Sequence, residues 1–163
     1  SHGENTHEKL EERRFRVARL LGAGECFDVS IPEEKARFYK IAKEQNHGAG
    51  VDAVLEMSGS YYAYEDAFKI LRMGGELSLL GLTNGTMPID FSKNVIFPGV
   101  TIHGVIGRRV WSTWDMMIDL LKSGLAKRFV RAGFVTHQVP LKDFEQGFHA
   151  IANGDALKVL LRP

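Results

Sequence analysis

Three short glycine-bearing turns hold the residues best placed to act on a ligand: Met57-Ser58-Gly59, Leu80-Gly81-Leu82 and Val105-Ile106-Gly107. Each follows an apolar run that reads as a strand, and in an open parallel sheet ligands sit in the crevice at the carboxyl ends of the strands. Glycine there lets a flat ligand approach the backbone closely. Glycine also ends strands for turn geometry alone, and spacing leaves both readings open. Glu56, at the end of the first run, has the chemistry of an acid–base group, but is expected to be a buried carboxylate held by backbone hydrogen bonds.

Other chemistries find little support. The six histidines show no i, i+4 pair and no carboxylate in register, so no metal site is read from them. His103 and His137 lie in extended segments and read as structural residues. Ser58-Gly59-Ser60 does not supply a Gly-x-Ser-x-Gly elbow. Asn84-Gly85-Thr86 reads as a plain turn, and Trp111 and Trp114 read as packing residues. Gly-x-Gly-x-x-Gly is absent, so no phosphate cradle of the dinucleotide type is encoded.

The elements that must carry these turns follow from periodicity. Residues 8–21 read as a surface helix stopped by Gly22 and Gly24, and residues 26–29 as a short strand. Ser30 is expected to cap a second helix that has Pro32 in its first turn and ends near Gly48-Ala49-Gly50. Residues 51–57 and 77–82 read as strands buried on both faces, as parallel sheets require. Between them Tyr64, Ala67, Phe68, Ile70 and Leu71 recur at helical spacing, with Gly74-Gly75 as the stop. A further extended region covers 100–105, and Trp114 to Leu121 form another amphipathic helix stopped by Ser123-Gly124. Alternation of this kind marks right-handed parallel βαβ units. The tail reads as an extended segment at 134–137, a helix over 140–153 and a last strand over 158–161.

Composition bounds the rest. At 163 residues the chain has the length of an ordinary single domain, and 44% hydrophobic with 25% charged residues excludes coiled coil and collagen-like repeats. A net charge of +1 argues against nucleic acid or an anionic membrane as the main partner. One cysteine, Cys26, excludes an internal disulfide and suits a reducing, cytoplasmic compartment. The polar stretch 1–7 reads as a tag-like or disordered start, and no apolar run is long enough to span a membrane.

Taken in order, Val51-Asp52-Ala53-Val54-Leu55-Glu56-Met57-Ser58-Gly59, Gly74-Gly75 and Leu79-Leu80-Gly81-Leu82 resemble the second half of a zinc-dependent medium-chain dehydrogenase. Asn94-Val95-Ile96-Phe97, Gly104-Val105-Ile106-Gly107-Arg108, Thr113-Trp114 and Thr136-His137 are similar to its threonine dehydrogenase branch, and the likeness runs from about Arg14 to Leu161. The resemblance implies an α/β fold: a partial doubly wound, Rossmann-like parallel sheet lacking its first two strands, over residues 8–130. Residues 131–163 would be a return segment of the catalytic domain. It also implies NAD-dependent oxidation of the threonine 3-hydroxyl to 2-amino-3-ketobutyrate in a homo-oligomer, with this chain alone inactive. Another alcohol or polyol dehydrogenase, or a non-catalytic module assembling through the sheet edge near 100–105, are the other readings. By the same resemblance Leu80, Gly81, Leu82, Val105 and Ile106 would line the nicotinamide end of NAD. Met57 and Ser58 would lie along the cofactor groove, Arg14 near the adenosine ribose and Lys158 near the pyrophosphate.

The departures are as informative. The family's zinc ligands, its Gly-rich turn and its ribose-binding acid have no counterpart here; the acid's position falls on Lys9, beside Glu8. Arg109 and Ser112 stand where acidic residues are typical. In the sheet order 3-2-1-4-5-6 the missing strands are central. Two outcomes are then expected: residues 26–29 dock beside 51–57, or that bared edge pairs with another chain.

Overall fold

The computed structural model describes residues 4–107 and 109–163. They form two compact units, Phe27–Arg108 and the pair of segments Ser1–Cys26 with Arg109–Pro163. Helix α1 (Glu4–Leu21) opens the chain. Within Phe27–Arg108, α2 (Pro32–Gly48), β1 (Val51–Glu56), α3 (Tyr61–Ile70), β2 (Leu71–Leu79) and β3 (Thr101–Gly104) follow in order. The three strands pair in parallel in the order β1-β2-β3, as the alternating pattern predicts.

Leu77, in the middle strand, is completely buried, and Ala67 of α3 and Val100 close the core around it. Its register partners are Val54 on β1 and Ile102 on β3, so one residue ties all three strands to the helix above them. Asp66 of α3 is buried but fully engaged: it accepts a hydrogen bond from the Tyr39 hydroxyl of α2 and pairs with Lys35 Nζ at 3.2 Å. Burial, and then the hydrogen bond to Asp66, push the Tyr39 phenol above its ordinary pKa, while Asp66 raises that of Lys35. Those bonds clamp α2 to α3.

The other unit holds α1 with α4 (Ser112–Leu120), a π-turn at Leu121–Leu125 and α5 (Ala126–Ala132). Gly124 kinks that run, with φ at 109°. Then β4 (His137–Pro140), a 3-10 turn at Leu141–Asp143, α6 (Phe144–Ala152) and β5 (Val159–Arg162) complete it. Strands β4 and β5 pair in parallel.

Several sequence expectations need correction. Residues 26–29 form no strand; side-chain bonds at Asp28 fold the chain into a turn there. Asp28 Oδ1 accepts the Ser30 N–H at 3.0 Å, and Glu34 Oε2 accepts the Asp28 N–H at 2.7 Å. Ser30 is thereby spent in a turn, and Ile31 stands at the N-cap with no side-chain bond. Docking of 26–29 beside β1 does not occur; among the described residues β1 pairs with β2 alone. Its faces are not doubly buried either, since Leu55 is 65% exposed. Gly74-Gly75 does not stop α3: the helix ends at Ile70, and the glycines lie in an irregularity of β2 between the Val51 and Ala53 pairings. Helix α5 was not foreseen, and Trp111 and Trp114 pack edge to face on each other while remaining exposed. Residues 4–7 belong to α1 rather than to a disordered start, and residues 1–3 lie outside the described residues, as do the Glu8 and Lys9 side chains.

The irregularity in β2 is pinned by charge. Arg72 Nε donates to Asp52 Oδ1 at 2.6 Å and the Asn46 amide donates to Oδ2 at 3.0 Å, so the Asp52 carboxyl titrates below its ordinary range. A depressed carboxylate pKa stabilises the fold above the unfolded-state value, and the contribution disappears as pH falls through the folded-state value. Urea midpoints of the parent and of Arg72→Met should therefore differ at neutral pH and converge below the carboxylate range. A gap that stays constant into acid would remove Asp52 from this role.

Candidate functional site

Strand register builds the site. Glu56 pairs with Leu79, and Leu79 with Gly104, so the chain leaves β1, β2 and β3 at one level. The turns that follow stand side by side and bring together seven of the nine residues expected from sequence: Met57, Ser58, Leu80, Gly81, Leu82, Val105 and Ile106. Backbone bonds fix their order, with Leu80 N–H donating to the Glu56 carbonyl at 2.9 Å and Val105 N–H to that of Leu79 at 2.9 Å.

Glu56 organises the first turn. The residue is 3% exposed, and its Oε1 accepts the Ser58 N–H at 2.7 Å, the Gly59 N–H at 2.9 Å and the Ser58 hydroxyl at 2.5 Å. This is the expected buried carboxylate tied by backbone donors. Oε2 is also buried and finds no partner.

Gly81 locks the second turn onto the first. A Cβ there would lie 2.0 Å from Gly59 N and 2.8 Å from Glu56 Oε2, contacts no side chain can make. Gly59, at φ +70°, would in turn drive a Cβ to 2.3 Å from the Leu82 carbonyl oxygen. Sequence left open whether these glycines serve a ligand or turn geometry; in the structure they serve the backbone-to-backbone approach of two neighbouring turns.

Tyr64, read from sequence only as part of a helix face, donates its hydroxyl to the Gly81 carbonyl at 3.2 Å. Burial, and then the Glu56 charge, push its phenol above the ordinary value. Tyr61, three residues earlier and edge-on to it, has a buried hydroxyl with no partner. A pair of tyrosines opening a helix directly after Ser58-Gly59-Ser60 was the available signal for both.

The outer surface of this row is aliphatic and open: Leu82 is 91% and Ile106 94% exposed, with Met57, Leu80 and Val105 also exposed. A rigid, glycine-locked row carrying exposed aliphatic side chains suits one face of a flat ring. The remaining two expected residues lie in the other unit. Arg14, exposed on α1, pairs with Glu11 Oε1 at 2.5 Å. Lys158, also exposed, immediately precedes β5, and its carbonyl accepts the Thr136 N–H at 3.0 Å.

Zinc has no fitting donor set here. Among the described residues no group of three or more His, Cys, Asp or Glu side chains is placed to hold a metal ion. His103 Nε2 lies 3.4 Å from the Glu76 carboxylate across the β2–β3 ladder, and the His137 ring meets the Thr136 hydroxyl at 3.0 Å.

An L-threonine 3-dehydrogenase from Caldanaerobacter subterraneus subsp. tengcongensis is 39% identical over 123 residues, which is 76% of this chain and 35% of that protein. One from Symbiobacterium thermophilum is 34% identical over 154 residues, 94% of this chain and 42% of that protein. The chain thus spans about two fifths of the length of such relatives. The crystal structure of an alcohol dehydrogenase from Thermotoga maritima superposes over 92% of this chain and 40% of its own, with TM-score 0.82 at 22% identity, a likeness of fold. The profile of zinc-binding dehydrogenases matches residues 9–123, from within α1 through the whole parallel sheet to the turn after α4, and on that match the chain belongs to the zinc-binding dehydrogenase family.

Proposed function

We propose that these 163 residues contribute the nicotinamide-side wall of an NAD-dependent dehydrogenase acting on the 3-hydroxyl of L-threonine. The observation that carries the proposal is the row of seven strand-end residues, locked beneath by Glu56, Gly59 and Gly81 and aliphatic above. Leu80, Leu82, Val105 and Ile106 cover one face of the ring and keep water from it. Met57 and Ser58 border the groove, with the Ser58 hydroxyl held by Glu56. Bound NAD supplies the hydride acceptor. Arg14 and Lys158 are assigned to the adenosine ribose and the pyrophosphate, on the family resemblance. Threonine is chosen because the relatives above, at 34–39% identity, carry that name. Homo-oligomer formation belongs to the same proposal.

Zinc would serve the complete enzyme from ligands outside the described residues. The chain by itself should therefore produce no NADH from L-threonine. It should still raise and blue-shift the emission of added NADH, because the ring leaves water for an aliphatic wall. Leu82→Asp combined with Ile106→Asp should abolish that enhancement while circular dichroism stays unchanged. An unchanged enhancement in the double variant would remove this wall from the cofactor site, and threonine turnover by the isolated chain would overturn the division of labour.

A further inference from the structure

At the opposite, amino-terminal end of the same three strands lies a groove of ≈ 570 Å³, inside the range of small-molecule sites. None of the strand-end residues discussed above lines it. Its floor is apolar: Phe68 from the end of α3, Leu71 from the start of β2, and Val100, 8% exposed, just before β3. Three lysines from three different elements line it, Lys43 of α2, Lys69 of α3 and Lys93 of the π-turn at Ser92–Ile96. Glu65 is the acid among the lining residues, so the lining is net positive.

The three lysines are not equivalent. Lys69 is already committed, with Nζ donating to the Tyr39 hydroxyl at 3.4 Å and lying 3.9 Å from Asp66. Lys43 and Lys93 make no ion pair among the described residues, and both are exposed. Asn94, beside Lys93, adds an amide donor at the same edge. Two uncommitted cations and an amide above an apolar floor are complementary to one kind of small molecule: an anionic head carried on a hydrocarbon body.

We infer that this groove binds an anionic amphiphile, its carboxylate or phosphate head between Lys43, Lys93 and Asn94 and its alkyl chain on Phe68, Leu71 and Val100. The head is held by charge and hydrogen bonding at the rim, where each exposed contact is modest, and the chain by removal of apolar area from water. Selection is then twofold: neither a small anion without a chain nor a neutral chain without a head suffices. The inference stands on the groove alone and does not depend on the cofactor proposal.

The test is titration of the isotope-labelled chain with decanoate below its micellar concentration, followed by amide and side-chain NMR shifts. Decyl phosphate, decanol and acetate serve as companions. Saturable shifts should cluster at Phe68, Lys93, Asn94 and Val100, for decanoate, decyl phosphate or both, and the stronger of the two identifies the head. Decanol and acetate should bind much more weakly. Combining Lys43→Gln with Lys93→Gln should weaken binding about tenfold, the sum of two exposed charge contacts. Lys43→Arg with Lys93→Arg should retain it. Decanol binding as tightly as decanoate would overturn the inference, as would absence of saturation, shifts centred elsewhere, or a Gln pair that binds like the parent while folded.

Discussion

Gly81→Ala should be among the most destabilising single changes in this chain. Its one new atom must occupy a position 2.0 Å from Gly59 N and 2.6 Å from Gly59 Cα. Both obstacles are backbone, so no rotamer change relieves them. Overpacking against movable side chains costs about 1–3 kcal/mol, and an immovable obstacle places the expected loss near 4 kcal/mol. For a domain whose total stability is about 5–15 kcal/mol, that leaves a fold close to its threshold. A urea titration should show the midpoint falling by about 2 M, given slopes of about 1–3 kcal/mol/M. The two strand-end turns would separate, and NADH fluorescence enhancement should fail even where the sheet survives. A variant with parent-like midpoint would show that the turns do not meet as described.

Glu56→Ala carries the second large effect. It leaves two backbone N–H groups and the Ser58 hydroxyl without the acceptor they share. Unsatisfied buried donors cost about 1–3 kcal/mol each, and partial exposure of this turn sets the expected total near 3 kcal/mol. Glu56→Gln is the informative companion. It preserves an oxygen for all three donors but points an amide into the place where Oε2 has no partner. Its cost should be about 1 kcal/mol, roughly that of one imperfectly satisfied polar group. Equal losses for Ala and Gln would mean that the negative charge, rather than the acceptor geometry, holds the turn.

These two residues show how far sequence reaches. Apolar runs between glycines were enough to find β1, β2 and β3 and to expect them parallel, because burial in a parallel sheet demands that pattern, but β2 spans Leu71–Leu79 rather than the expected 77–82. The strand-end turns were legible for the same reason. What periodicity does not contain is side-chain chemistry competing with the backbone. Glu34 takes the Asp28 N–H, in the middle of residues 26–29, and the Asp28 carboxylate turns onto the Ser30 N–H instead of continuing a strand. Nor does it contain the reason for a glycine: Gly81 reads the same whether a ligand, a turn or a neighbouring turn requires it. Tyr64 was visible as an amphipathic position, yet its bond to the Gly81 carbonyl joins residues 17 apart in sequence, a pairing only the folded chain reveals. The same pattern misleads on burial: an apolar run between glycines implies two buried faces for β1, yet Leu55 of that strand is 65% exposed.

The role assigned to the row of strand-end turns is most directly tested by saturation-transfer NMR of NAD with this chain, irradiating the methyl groups of Leu80, Leu82, Val105 and Ile106. These aliphatic residues should pass saturation to the nicotinamide protons more strongly than to the adenine protons, and Leu82→Asp with Ile106→Asp should erase the difference. Transfer confined to adenine, or none at NAD concentrations in the millimolar range where weak ligands are still detected, would contradict the assignment of these turns to the nicotinamide.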